Sequence, residues 1–294
     1  IGLGTDNTML CVLGFGGAML HTLNHSLFKS LLFYTAGNVY QATHTLDIEK
    51  LGGLVKKMPQ TTLLFLIAAL AICGLPPFNG FISEFMLYSG LFSSIQQADV
   101  VSLVWIIFTI LGLVLIGGLA LMCFTKAFGV VFLGSPRHAF NHEVKELPLL
   151  QILPLYAITA FIIVIGLFPG IFLNILIKPV QLFANLHQLP FVSFQGNGIE
   201  PLLSVSKASW FLIGLVAVIL VIRKFAFRYR TLSVSPTWGC GYTAATPKIQ
   251  YTASSFVKSY SQLFKCFFLI EKKEHKVEGI FPAGAAYETH PYDK

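Results

Sequence analysis

The sequence is short of charge. Asp, Glu, Lys and Arg make up only 11% of 294 residues, while hydrophobic residues reach 55% and the mean hydropathy is +0.72. A soluble domain carries about a quarter charged residues, so this composition excludes one and points to an integral membrane protein. The charges present lean basic, 20 Lys and Arg against 13 Asp and Glu for a net +7. They gather beside apolar segments, as at a cytoplasmic membrane surface. No base-reading motif accompanies them, which argues against nucleic acid as a partner. The five cysteines, Cys11, Cys73, Cys123, Cys240 and Cys266, include no pair at metal-ligand or redox spacing, against a zinc site, a ligated iron–sulfur cluster or a disulfide framework. Nucleophile elbow, phosphate loop and helical zinc motif are missing too, so no catalytic template is present. The chain opens on Ile1 without a Met and without a signal-peptide pattern, and is expected to be an internal piece whose first segments are missing.

What the sequence has is apolar runs long enough for a bilayer, which takes about 20 helical residues. The first, 8–40, is loosened at its start by Gly14, Gly16 and Gly17. Asn24, Ser26, Ser30 and Asn38 give it groups that can hold water or bond across helices. The second, 61–94, is interrupted by Gly74-Leu75-Pro76-Pro77-Phe78-Asn79-Gly80. Proline removes a backbone donor and frees a carbonyl in the preceding turn, so no α-helix passes this point unbroken. Two readings follow: one discontinuous crossing, or two short crossings joined by a tight hairpin. Further crossings are expected over 101–133, where Gly112, Gly117 and Gly118 permit close packing, over 149–168, with Pro154 in its first turns, and over 207–225. The stretch 169–206 is too polar and proline-interrupted to cross, and part of it is expected to lie along the interface.

Residues 1–230 then form a transmembrane domain and 231–294 a mixed polar tail with one apolar amphipathic stretch, 256–270. Basic residues accumulate on the cytoplasmic side, so Arg223, Lys224, Arg228 and Arg230 place the tail inside. With the broken segment as one crossing, the Lys50/Lys56/Lys57 and Arg137/Lys145 loops are inside as well, and the outer connections hold only Lys178. With two crossings, the three-lysine loop is forced outside. The charges favour one discontinuous helix, five crossings and an outer N-terminus. The fold class is an all-α, polytopic transmembrane helix bundle with a broken helix and a cytoplasmic tail.

The candidate chemistry lies in intramembrane titratable groups. His21, His25 and Lys29 recur at every fourth residue, which on a helix makes a slowly winding stripe about 12 Å long. A lysine at mid-membrane costs roughly 2.5–3.5 kcal/mol, and such residues usually face a bundle interior or a wet cavity. Glu84 follows the break by one turn and Lys126 lies late in the third segment. Burial and neighbouring charge can bring such groups toward neutral pH, as a proton relay requires. In that reading Glu84 is the switch and Lys29 the central relay. The plainer readings are a histidine bonding a neighbouring helix, Glu84 as a structural acid, and Lys126 snorkelling to the interface. His44, His138, His142 and His187 read as solvated loop residues, and Gly239-Cys240-Gly241-Tyr242 as a turn.

Leu20-His21-Thr22-Leu23-Asn24-His25-Ser26-Leu27-Phe28-Lys29, with Leu51-Gly52-Gly53-Leu54 and Leu75-Pro76-Pro77-Phe78-Asn79-Gly80-Phe81-Ile82-Ser83-Glu84-Phe85, resembles the antiporter-like membrane subunits. These occur in respiratory complex I, multisubunit sodium/proton antiporters and membrane-bound hydrogenases. The tail motifs Thr237-Trp238-Gly239-Cys240-Gly241-Tyr242, Thr246 to Phe256 and Glu288-Thr289-His290 are similar to the hydrogenase-4 component B and formate hydrogenlyase subunit 3 branch. The resemblance implies half-channel residues at Lys29, His21, His25 and Glu84, and matches Lys126 to a Phe-x-Lys-x-Phe-Gly pattern. The family's earlier broken helix, with its own lysine and acid, is absent here. The resemblance further implies a proton-translocating subunit in the cytoplasmic membrane with no cofactor of its own. A nickel-iron site and iron–sulfur clusters are expected in partner subunits. The rival expectations are a non-redox cation/proton antiporter subunit and a membrane scaffold for a redox arm.

Overall fold

The computed structural model describes residues 1–137, 140, 142–186, 200–229, 250–256, 270–274 and 287–291. Its spine is α1 (Thr8–Thr43), 36 residues without interruption, about 54 Å at 1.5 Å per residue. Asn7 caps its start, the side chain accepting the Leu10 amide at 3.0 Å. His44 stops it in the left-handed region, φ 55°.

Two shorter helices, α2 (Pro59–Ile72) and α3 (Asn79–Ser94), run end to end along this spine in the opposite direction. Leu64, Phe65, Ala68 and Ala69 of α2 share one buried cluster with Leu31, Leu32 and Val39 of α1. Ile82 and Met86 of α3 share a second with Val12, Leu13 and Leu20. At the far end Asn7 donates to the Ser94 hydroxyl at 3.2 Å. Glycines let the backbones close in: a Cβ on Gly17 would meet Met86 and Leu87, and one on Gly90 would meet Leu13. At 14 and 16 residues the two helices are about 21 and 24 Å long, each short of a hydrocarbon core of about 30 Å. They form one discontinuous helix, broken over residues 73–78, and the tight-hairpin alternative does not fit.

α4 (Val100–Phe132), 33 residues, lies at the margin with most of its apolar side chains exposed. α5 (Leu149–Leu167) packs on α1, α2 and α3, and its Gly166 seats against the break, where a Cβ would meet the Pro77 carbonyl oxygen. α6 (Pro169–Leu186) packs on α1, α5 and α7, burying Leu173, Val180 and Ala184 in the α1–α3 cluster and leaving Ile171, Ile175 and Leu182 exposed. α7 (Glu200–Ala226) begins about two turns earlier than the apolar run indicated. Among the described residues, three stretches are long and apolar enough to cross a membrane by length and composition: Val100–Phe132, Leu149–Leu167 and Leu202–Ala226. The tail adds an antiparallel ribbon of β1 (Ile270–Glu274) and β2 (Tyr287–Pro291), which hydropathy did not announce. Residues 257–269 of the expected amphipathic stretch, His138, His187 and the turn at 239–242 lie outside the described residues.

Polar loops tie one end of the bundle together. Met58 offers α2 no side-chain cap, and Glu146 supplies one across the chain, accepting the Gln60 amide at 2.7 Å, the Thr61 amide at 3.2 Å and the Thr61 hydroxyl at 2.6 Å. Arg137 donates to the Leu51 and Tyr251 carbonyls at 2.7 and 2.6 Å. Gln250 exchanges two hydrogen bonds with the Ser135 backbone, at 3.0 and 2.7 Å, and Glu49 accepts from the Ser254 amide and hydroxyl. The tail segment 250–256 is thereby strapped across the 49–53 and 133–137 loops.

Candidate functional site

The helix break opens beside the middle of α1, and polar side chains fill the junction. Pro76-Pro77 is a cis peptide bond and Gly74 adopts φ +63°, a conformation glycine takes without steric cost. Phe78 gives α3 no side-chain cap, leaving its first turn to find partners elsewhere. They come from α1. Asn24 donates to the Asn79 carbonyl at 2.8 Å and to the Ser83 hydroxyl at 3.2 Å, and accepts from the Asn79 side-chain amide at 3.1 Å. Ser83 also donates to the Gly80 carbonyl at 2.9 Å. His21 Nδ1 lies 3.0 Å from the Ser83 hydroxyl. Asn24, Asn79 and Ser83 are fully buried, and Asn79 Oδ1 is without a partner.

Glu84 is the next residue on α3 and, half-buried, turns the other way. Its carboxylate folds back over Gly74, where a Cβ would collide with Oε2. A side chain at position 74 would therefore displace the acid, and glycine serves both the backbone turn and the carboxylate's seat.

The predicted stripe on α1 divides. His21 is half-buried against α3, whereas His25 and Lys29 wind onto the exposed face. The His21 and His25 ring centroids are 6.1 Å apart, and Lys29 Nζ sits 5.6 Å from the Phe33 ring. Among the described residues the ion pairs are Lys50–Asp47 and Lys145–Glu143, so neither Lys29 nor Lys126 pairs with Glu84. Lys126 lies half-exposed on α4. The structure thus brings His21 to the break through Ser83 and leaves the two lysines outside it. His44 and His142, both exposed as expected of solvated loop residues, lie 4.8 Å apart between centroids with their rings tilted, and His142 Nε2 is 2.9 Å from the Ala42 carbonyl.

Sequence reasoning flagged Asn24 as able to bond across helices but gave Asn79 and Ser83 no role. Their signal was available. They are four residues apart, hence on one face of a helix, and immediately follow the double proline. No spacing rule predicts Gly74 under Glu84, because that contact depends on the turn.

Similar proteins place this architecture. Residues 7–112 match the family described as NADH:quinone oxidoreductase/Mrp antiporter, transmembrane. Hydrogenase-4 component B of Escherichia coli is 40% identical over 57% of this chain and 25% of its own. Formate hydrogenlyase subunit 3 of the same organism is 32% identical over 90% of this chain and 41% of its own, so the chain spans well under half of either relative. A solved structure of the membrane-bound sulfane sulfur reductase, an archaeal respiratory membrane complex, shares the fold, with a TM-score of 0.62 at 22% identity over 87% of this chain and 40% of that one. Residues 7–112, the part similar to the NADH:quinone oxidoreductase/Mrp antiporter transmembrane family, hold α1, the broken helix and the seam between them.

Proposed function

We propose that the chain is part of a proton-translocating membrane subunit in a hydrogenase-4 or formate hydrogenlyase-like complex. The observation that carries this reading is the buried polar seam joining His21 to a broken helix whose next acid is Glu84. Broken backbone and titratable groups at membrane depth are tolerated where they serve an ion path. Energy would come from electron transfer in partner subunits that hold a nickel-iron site and iron–sulfur clusters, with none in this chain. The subunit crosses the cytoplasmic membrane several times, five within this chain with α2 and α3 as one crossing, its tail cytoplasmic. Protons pass along α1 through Lys29, His25 and His21 to Glu84, with Lys126 as a further relay group. An ammonium facing lipid would cost roughly 2.5–3.5 kcal/mol, so further protein of the complete subunit covers the His25 and Lys29 face.

The test is the full-length subunit in its complex, carrying Glu84→Gln or Lys29→Ala, with proton pumping in vesicles measured beside electron transfer. Electron flow without pumping is expected, and normal pumping in both variants would overturn the assigned roles. If the subunit is instead a scaffold, both variants lose assembly and never uncouple. A cation/proton antiporter without redox chemistry is the second reading, favoured by the Mrp antiporters in the same family. Sodium-dependent transport without an electron donor would select it.

A further inference from the structure

The seam constrains which nitrogen of His21 can carry a moving proton. The Asn79 backbone oxygen can only accept, so the Asn24 atom 2.8 Å away is the amide nitrogen and its Oδ1 must face the Asn79 side-chain amide. With Asn24 fixed in this way, its second N–H points at the Ser83 hydroxyl, 3.2 Å away. That hydroxyl owns one proton and has two further neighbours, the Gly80 carbonyl at 2.9 Å and His21 Nδ1 at 3.0 Å. If Ser83 gave its proton to His21, two oxygens would face each other at 2.9 Å with no hydrogen between them. Two acceptors held that close in a buried site repel each other. With Ser83 bonded to Gly80, Nδ1 must be the donor and every contact of the hydroxyl is satisfied.

We infer that Ser83, oriented by Asn24, is a positioning residue that holds His21 with its fixed proton on Nδ1, so that Nε2 is the nitrogen that gains and loses the transferred proton. The choice of reactive nitrogen by the bond made at the other is a general property of imidazole. The ring neighbours of His21 are His25 at 6.1 Å on the exposed side and Phe28 at 6.2 Å. Of these only His25 can exchange a proton. Glu84, although adjacent to Ser83 in sequence, is turned toward Gly74. Delivery to the acid therefore runs from Nε2 through water, with Ser83 acting as a fixed support and not as a carrier.

This inference rests on the proposed relay for its purpose, but its test does not. In the full complex, histidines are isotope-labelled at both ring nitrogens, the His21 signals are identified by their loss in His21→Gln, and protonation is read by magnetic resonance across pH. The expected result is a hydrogen on Nδ1 at every pH, with only the Nε2 signal titrating. Ser83→Ala should shift neutral His21 toward the Nε2-protonated form, and Ser83→Thr, which keeps the hydroxyl, should restore the original pattern. A neutral His21 protonated on Nε2 in the unaltered protein would overturn the inference. So would a Ser83→Ala spectrum unchanged from it in an assembled complex. Should the nitrogen pattern hold while His21→Gln pumps normally, the relay fails and the positioning survives.

Discussion

At the scale of single residues, two substitutions separate packing from chemistry. Gly74→Ala meets a left-handed backbone that costs an L-residue about 1–2 kcal/mol and a carboxylate already in the space its Cβ needs. The expected outcome is an assembled complex with a lower melting temperature and pumping reduced as in Glu84→Gln, checked by thermal unfolding beside vesicle acidification. Asn24→Ala leaves the buried Asn79 side-chain amide without its partner, and an orphaned buried group costs about 1–3 kcal/mol. A lower melting temperature in the purified complex is the check. The histidine and lysine positions were legible from their four-residue spacing alone. Their directions were not, because a period places residues on a common face without saying what the face meets. Asn24, Thr35 and Asn38 took the buried side of α1, and Lys29 was left with Phe33.

Helices and loops give a second set of expectations. α4 begins on Asp99, whose carboxylate accepts the Ser102 amide at 3.3 Å. The bonds to Ser102 hold its pKa below the usual aspartate value. The folded value is the lower one, so this contribution is complete above the ordinary aspartate range and is lost as pH falls through the depressed value. Acid should fray the first turn of α4, and Asp99→Asn should remove that dependence, as followed by hydrogen exchange at Ser102. Glu146→Ala should weaken the start of α2 by about 0.5–2 kcal/mol, the usual value of a cap, with faster exchange at the Gln60 and Thr61 amides. The double proline made the broken helix readable in advance. The helix partners of α6 were not legible because an amphipathic pattern looks the same whether its apolar side meets lipid or other helices. Those partners, Val12, Leu13 and Leu20, lie more than 140 residues away. Glu146 was invisible for a similar reason, its partners Gln60 and Thr61 lying across two helices.

For the whole molecule, the tail strap is the feature a distant motif could not have located. Arg137→Ala or Gln250→Ala removes bonds joining 250–256 to the loops, and limited proteolysis should then cut that segment faster while the helices persist. The break has a wider effect. One apolar cluster gathers α2, the later half of α1, the end of α4 and α5 as far as Ile162; the other gathers α3, the earlier half of α1, Ile165 of α5, α6 and α7. The discontinuity lies where these clusters adjoin, with Asn24 and Asn79 at the boundary. Proteins open in cooperative units that follow such divisions, so amide protection should fall into two blocks that exchange at different rates. The divide should cut α2 from α3 while α1, which like α5 contributes to both, exchanges last.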